Sequence, residues 1–593
     1  MHREVLRSQR GNRPDARMNV REIRVDSGCK INLRVPMRDG IHLAADVYLP
    51  VGEGPWPAAV LRTPYGRAFD SETARVLSQD GMAMVSVDCR GRFDSEGKFD
   101  LGENDGSDGA DTLDWLATQP WCDGRVSGRG FSYGGLTQWG MAVNSAPPLV
   151  CTAPIMAPCW WRGMSFREGG AVALAAAAHW LPRQAAADPS CVDDLRGETL
   201  SRALEFDQVI EDDRVSISAA LAHPALGRLP LKDPWPFPGS ELFADIWQKI
   251  FEGSPPQSWI DDAGPPKNDR LLVPTLILSG WYDLGCQDSI AAFGHLQRTS
   301  PSEVARQHRL VMTAHGHGFD PLREVQLPPE AWRFGLDTDH RWAKEWLFGE
   351  DTTLRSCDPV TYFTLGANEW RGADRWPPPG AEPESLYLYP GRTNGDGTLG
   401  GGPAREQSVG GFRYDPSRPV PSRGGAGIGL PPGPSDQIGL TGGVRDDVLS
   451  FTSDALKGEL EITGPITAEI FAASDQPDTD FTVKLIDVHA DGRATSICDG
   501  IVRARYRNGP DPEFLRPGAV ESFRVHLGNI SYQIEQGHRL RVDLSSSNFP
   551  RFDRNANTGA PEGTDGPGDF RVATQRIYSS PTHPSRLILS VIR

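Results

Sequence analysis

Between residues 30 and 153 short apolar runs alternate with helical stretches, and this rhythm constrains the fold more than any other feature of the chain. Residues 58–61, 82–87 and 125–131 read as strands. Between the last two, Ala110, Leu113, Trp115 and Leu116 recur at helical spacing within residues 108–119. Strand, helix, strand in succession predicts a mainly parallel sheet covered on both faces.

The rhythm stops after residues 151–158. Ala/Leu/Trp-rich segments with few strand signals then run to about residue 264 and predict an inserted helical unit. Strand signals resume at 274–278 and 309–313, separated by a helical stretch at 289–296, and complete the sheet. Past residue 348 come Pro377-Pro378-Pro379 and a Gly/Pro-rich tract over 391–443, read as long loops. Six β-rich runs follow, at 460–473, 481–488, 501–506, 520–527, 540–544 and 587–592, and predict a β-sandwich or jelly roll. A chain of 593 residues is too long for one core. The expected division is an arm over 1–29, disordered, then a sheet-and-helix core in two parts, 30–155 and 266–352. A helical cap over 156–265 interrupts the core, and an all-β unit spans 353–593.

Composition narrows the function. A net charge of −17 provides no basic field for a nucleic-acid backbone. The longest apolar run, residues 171–181, holds eleven residues, short of the ~20 that span a bilayer, and reads as a buried helix. Residues 1–17 carry five arginines and no apolar stretch fit for a signal-peptide core. Nine cysteines scattered from Cys29 to Cys498 fit reduced thiols in a cytoplasmic protein better than a disulfide framework. The expected partner is therefore a small molecule rather than nucleic acid or membrane. A homo-oligomer is left open.

The chemistry centres on Gly130-Phe131-Ser132-Tyr133-Gly134. G-x-S-x-G is a weak pattern in a chain with 64 glycines. Here it follows a strand and precedes a helix, as the nucleophile turn of an α/β-hydrolase must. A serine hydroxyl needs a base, and the base needs an acid to orient its ring. In this fold the acid and then the histidine follow later strands. Asp283 ends Gly280-Trp281-Tyr282-Asp283, while Asp288 is a rival inside the following helix. Two histidines compete after the next strand, in Thr313-Ala314-His315-Gly316-His317-Gly318, and periodicity does not choose between them. The Tyr133 N–H, next to the nucleophile, supplies one oxyanion donor. Tyr65, in the loop after residues 58–61, reads on its own as a packing aromatic. No Cys/His cluster shows metal-ligand spacing, so neither metal nor organic cofactor is expected, and His315-x-His317 alone is too little for zinc.

Several further blocks accompany the serine turn. They are Pro36-Met37-Arg38-Asp39-Gly40, Thr63-Pro64-Tyr65, Asp88-Cys89-Arg90-Gly91-Arg92, Gln119-Pro120-Trp121-Cys122-Asp123-Gly124 and Ser547-Asn548-Phe549-Pro550-Arg551. With them, residues 30 to 593 resemble the cocaine esterase and α-amino acid ester hydrolase group of α/β-hydrolases. That group is related to X-prolyl dipeptidyl peptidases and glutaryl cephalosporin acylases. The resemblance implies an α/β-hydrolase core with an inserted helical cap and a C-terminal jelly roll. It places the nucleophile on Ser132, the acid on Asp283 and an oxyanion tyrosine on Tyr65. The family's Gly-Pro-Trp-x-His block aligns with residues 313–317 and puts the base on His317. Here Thr-Ala-His replaces Gly-Pro-Trp, so His315 stands where a tryptophan usually packs. His315 and Trp281 remain candidates for the substrate pocket, and His315 for an alternative base. The family's α-amino acid ester hydrolases hold a substrate ammonium with carboxylates just after the acid, whereas Leu284-Gly285-Cys286 follow here. Glu168 and Asp288 are the remaining candidates for polar contact. The implied reaction is acyl transfer to water from an ester. An X-prolyl-type peptidase or amidase, an acyltransferase or cyclase, and a non-catalytic binding protein are the alternatives.

Overall fold

The computed structural model describes residues 23–25, 29–143, 148–159, 166–188, 196–198, 200–201, 206, 217–233, 240–252, 271–319, 322 and 324–593. Their first sheet has 11 strands. In hydrogen-bonded order these are Ile23–Val25, Cys29–Pro36, His42–Tyr48, Ala83–Asp88, Trp56–Thr63, Cys122–Phe131, Leu149–Ile155, Leu276–Tyr282, Arg309–Gly316, Val360–Thr364 and Glu369–Ala373. From Ala83–Asp88 across to Val360–Thr364 every neighbouring pair is parallel, and the flanking pairs are antiparallel. Parallel strands joined by helices are covered on both faces, which is why Ala83–Asp88 and Leu276–Tyr282 are buried along their whole length.

The alternation of side chains sorts the core. Ala58 and Val60 pack with Leu113 and Trp139 from the helices Asp105–Ala117 and Tyr133–Ala142. Ala59 and Met84 face Ala343 and Leu347 of the helix Thr338–Leu347. The cap leaves and re-enters the core between Leu149–Ile155 and Leu276–Tyr282, which pair directly. Its described part holds a short hairpin, Arg167–Glu168 with Ala171–Val172, and the helices Leu174–Ala186, Ile217–Ala222, Pro224–Gly227 and Glu241–Ile250. These bury Trp180, Phe206, Phe243 and Trp247 together. The apolar run at 171–181 is thus buried, as a hairpin strand leading into a helix.

The second sheet also has 11 strands among the described residues and is almost wholly antiparallel. Its spine is Leu460–Ser474 paired with Glu521–Ile534 and Arg586–Ile592. Three expectations change. The α/β sheet does not stop at 352: Val360–Thr364 and Glu369–Ala373 form a hairpin on its edge, so the all-β unit begins with Glu382–Tyr389. The Gly/Pro-rich tract is not loop throughout, because Gly397–Gly400 and Ser408–Tyr414 pair into the sheet. In the arm, Ile23–Val25 pairs with Cys29–Pro36, so ordered chain precedes residue 30, while 1–22 lie outside the described residues.

The all-β unit grips the cap through buried charge. The Arg503 guanidinium donates to Asp480 at 2.9 Å, to Asp553 at 2.8 Å and to Glu562 at 2.7 Å, and Arg167 of the cap hairpin reaches the same Glu562 at 2.6 Å. Asp553 also accepts the Val172 N–H at 2.9 Å, and the Arg503 N–H donates to the Gly169 carbonyl at 2.8 Å. Removing one member of such a buried set strands the others. Asp553→Ala is expected to destabilise the protein by about 3–5 kcal/mol, read as a lower thermal midpoint. An unchanged midpoint would show that the cap is held by other contacts.

Candidate active site

The strand Cys122–Phe131 turns into the helix Tyr133–Ala142 through Ser132 alone. Ser132 has φ 58° and ψ −125°, a conformation L-residues rarely adopt. The turn is possible because nothing larger than hydrogen fits beside it: a Cβ on Gly130 would lie 2.2 Å from the Gly134 oxygen. The Ser132 N–H donates to the Ile155 carbonyl at 2.9 Å, and its own carbonyl accepts from Gly135 and Leu136. The hydroxyl is thereby lifted above the carboxyl edge of the sheet, with the residue 7% exposed.

Two later strand ends meet it there. Asp283 follows Leu276–Tyr282, and His317 follows Arg309–Gly316. His317 Nε2 lies 3.0 Å from Ser132 Oγ, and His317 Nδ1 lies 2.6 Å from Asp283 Oδ1. Asp283 is fully buried, and its other oxygen accepts from the Ser279 hydroxyl at 2.8 Å and the Gly285 N–H at 3.0 Å. Those donors replace the water a buried carboxylate has lost. The Phe131 ring, 4.8 Å from the imidazole, supports it from the strand Cys122–Phe131.

On the other side, the Tyr65 hydroxyl lies 3.3 Å from Ser132 Oγ. Burial raises its phenol above the ordinary value, so it stays a neutral donor. The Trp180 indole N–H donates to the same oxygen at 3.2 Å, which leaves the phenol proton directed elsewhere. Trp180 stacks on the Tyr133 ring, with centroids 6.2 Å apart and planes at 5°. The Tyr65 loop is held in turn by Arg92, whose Nε donates to the Pro64 carbonyl at 3.0 Å and whose other arm reaches Gln184 on the cap helix.

Ser132, Asp283, His317, Tyr65 and the Tyr133 backbone therefore come together, and His315 and Trp281 stand apart from them. His315 is fully buried, its ring against Trp332 at 4.2 Å and Phe319 at 5.7 Å, and neither ring nitrogen has a hydrogen-bond partner among the described residues. It fills an apolar site, as a tryptophan there would. Trp281 uses its N–H on the Phe363 carbonyl at 2.7 Å and packs on Trp376. It lines a cavity of about 640 Å³ between core, cap and all-β unit, whose walls include Asp283 but not Ser132, Tyr65 or His317. Glu168 is paired with Arg551 at 3.2 Å, and Asp288 accepts the Cys159 N–H at 3.1 Å, so both carboxylates are engaged. Reading the sequence missed Ser279, Trp180 and Arg92. Arg92 lay within the Asp88–Arg92 block, and Ser279 four residues before the acid; nothing marked Trp180 within its apolar run.

Comparison with known proteins agrees with this architecture. Residues 39–318 match the model of the X-Pro dipeptidyl-peptidase (S15) family, and residues 355–588 match that of the X-Pro dipeptidyl-peptidase C-terminal non-catalytic domain. The chain is 33% identical over 588 residues to the cocaine esterase of Rhodococcus sp. strain MB1 Bresler, covering 95% of this chain and 98% of that one. Among solved structures, an aminopeptidase from a marine-sediment Thaumarchaeota archaeon superposes with a TM-score of 0.75 at 24% identity. An α-amino acid ester hydrolase does so with 0.72 at 23%. Each pairing covers 98% of this chain and 99% of the other. Among the described residues no helix is long and apolar enough to cross a membrane.

Burial pushes the His315 imidazole down to about 4 from an ordinary 6.5. The folded state thus resists a proton that the unfolded chain accepts. Stability from this residue is retained above pH 6.5 and lost as pH falls towards 4. By pH 5 the loss amounts to about 2 kcal/mol. His315→Leu is expected to flatten the fall of the thermal midpoint between pH 7.5 and pH 5. Parallel falls in variant and wild type would contradict this origin.

Proposed function

We propose that this chain, which belongs to the X-Pro dipeptidyl-peptidase (S15) family and is a serine hydrolase, cleaves an uncharged small-molecule carboxylic ester by way of an acyl-enzyme on Ser132. The observation that carries the reading is the unbroken hydrogen-bonded line Asp283, His317, Ser132, with Tyr65 on the far side of the hydroxyl. Ser132 Oγ attacks the ester carbonyl carbon while His317 Nε2 takes its proton. Asp283 holds the resulting imidazolium across the 2.6 Å contact. The carbonyl oxygen, now negative, accepts from the Tyr65 hydroxyl and the Tyr133 N–H. Collapse expels the alcohol, which receives the proton from His317. Water, deprotonated by the same imidazole, then attacks the acyl-enzyme, releases the acid and restores the serine.

The uncharged acyl group is supported by what surrounds the site. Tyr65 packs into an apolar cluster that includes Phe166, Trp180, Leu101, Ile428 and Leu430. The positions after Asp283 are Leu284, Gly285 and Cys286, and the nearby carboxylates of Glu168 and Asp288 already have partners. Both line the cavity beside Asp283, where the Arg551 guanidinium already answers Glu168 and would repel a substrate ammonium, which counts against α-amino esters.

A fluorophosphonate probe is expected to label wild-type protein once per chain at Ser132. Turnover in an ester and amide library should fall by about 10⁴-fold or more in Ser132→Ala, by about 10⁴-fold in Asp283→Asn and by about 10²–10³-fold in Tyr65→Phe. Esters with apolar acyl groups should lead the library. Activity surviving Ser132→Ala would overturn the mechanism, and amides or α-amino esters in the lead would overturn the substrate class.

A further inference from the structure

The all-β unit holds a second carboxylate–imidazole cluster, remote in sequence from the triad. Asp487 lies next to the end of the strand Asp480–Val488, and His489 opens the turn into Ala494–Arg503. His538 closes the turn into Arg539–Ser545. Asp487 pairs in register with Leu540 and Val488 with Arg539, so the two turns lie side by side at one end of the sheet.

The side chains converge. Asp487 Oδ1 is 2.9 Å from His538 Nδ1, Asp487 Oδ2 is 3.9 Å from His489 Nε2, and the imidazole centroids are 4.4 Å apart. One ligand atom from each residue falls within 4.8 Å of the others. Nitrogen and oxygen donors about 2.0–2.2 Å from one tetrahedral ion must sit roughly 3.4 Å apart, and the observed 2.9 and 3.9 Å lie on either side of that spacing. Both contacts must shift by about 0.5 Å for the donors to meet one ion.

The surroundings match those of a metal-binding imidazole. The second nitrogen of His538 faces the Glu535 carboxylate at 3.8 Å, and Asp487 Oδ2 accepts from the Tyr532 hydroxyl at 3.4 Å. Outer carboxylates and hydroxyls of this kind fix ring orientation and ligand basicity. The Thr495 hydroxyl hydrogen-bonds with His489 Nε2 at 3.1 Å, a contact that an ion on that nitrogen would displace. Asp487 and His538 are buried, and the partly exposed His489 gives entry from solvent.

We propose that Asp487, His489 and His538 bind a divalent transition-metal ion of the zinc class, which clips the two turns together. Two imidazoles and one carboxylate suit Zn²⁺, Co²⁺ and Ni²⁺ and are a poor set for Mg²⁺ or Ca²⁺. The inference does not depend on the reaction at Ser132.

Untagged full-length protein, stripped with EDTA, would be titrated with Co²⁺ and followed by its visible d–d absorption and thermal midpoint. One Co²⁺ per chain is expected, with a midpoint raised by at least about 2 °C. His489→Ala and His538→Ala should each weaken Co²⁺ binding by at least about 100-fold, and Tyr532→Phe by about 10-fold. Circular dichroism and a cooperative thermal transition in the same variants report that they are folded. Absence of stoichiometric binding by the wild type overturns the proposal, as does binding that persists in the folded His489→Ala/His538→Ala double variant.

Discussion

Ser132 stands at φ 58° and ψ −125°, and holding an L-residue in such a region costs about 1–3 kcal/mol that the surrounding packing must offset. Three features of the fold supply the offset. The strand before it is clamped between parallel neighbours, the Ser132 N–H is tied to Ile155 on the next strand, and the helix after it begins with carbonyl contacts back to the serine. Gly130 and Gly134 then touch where side chains would clash. A looser sheet would relax the turn, and the hydroxyl would drop from the edge. The parallel core is therefore the device that keeps a strained serine presented.

Presentation alone is not a site, because the partners of Ser132 come from segments far apart in the chain. Asp283 and His317 arrive on adjacent parallel strands, so their separation follows from the register Tyr282 to Gly316. Tyr65 is different. Its loop is fixed by Arg92 from below and by Trp180 from the cap, and Arg92 also holds the cap helix through Gln184. The cap helix begins just after a hairpin that the all-β unit grips with Arg503, Asp553 and Glu562. The Tyr65 side of the site thus rests on the third unit of the molecule.

This division explains what could be read in advance. The strand–helix rhythm marked the core because it reports burial on two faces, and Ser132 and Asp283 were visible because each ends a strand. The choice between His315 and His317 was not visible from spacing. It turns on which residue is the last inside the strand, in apolar packing, and which one clears it, and Arg309–Gly316 ends between them. The role of Tyr65 depends on contacts with Ser132 and Trp180, 67 and 115 residues away, and only the family resemblance pointed to it. The sheet's extension to Ala373 was hidden because two short edge strands after Pro359 look like the start of the β-rich region that follows. Strands Gly397–Gly400 and Ser408–Tyr414 were masked by their glycines, which pack against Tyr389, Phe451 and Pro390 where a side chain has no room.

Two of the carboxylate–imidazole pairs among the described residues join Nδ1 to Oδ1 at close range, Asp283 with His317 at 2.6 Å and Asp487 with His538 at 2.9 Å. Their chemistry differs through the third partner. In the core, the far nitrogen of the imidazole meets a serine hydroxyl, the arrangement on which the proposed proton transfer rests. In the all-β unit, a second imidazole lies beside the first and the far nitrogen turns to Glu535 instead. His538 Nδ1 and His489 Nε2 there face the two oxygens of one carboxylate. A pair that would orient a base in one setting becomes, in the other, two thirds of a cation site. Spacing within the sequence could not separate these outcomes, since His317 and His489 each follow a strand by one residue.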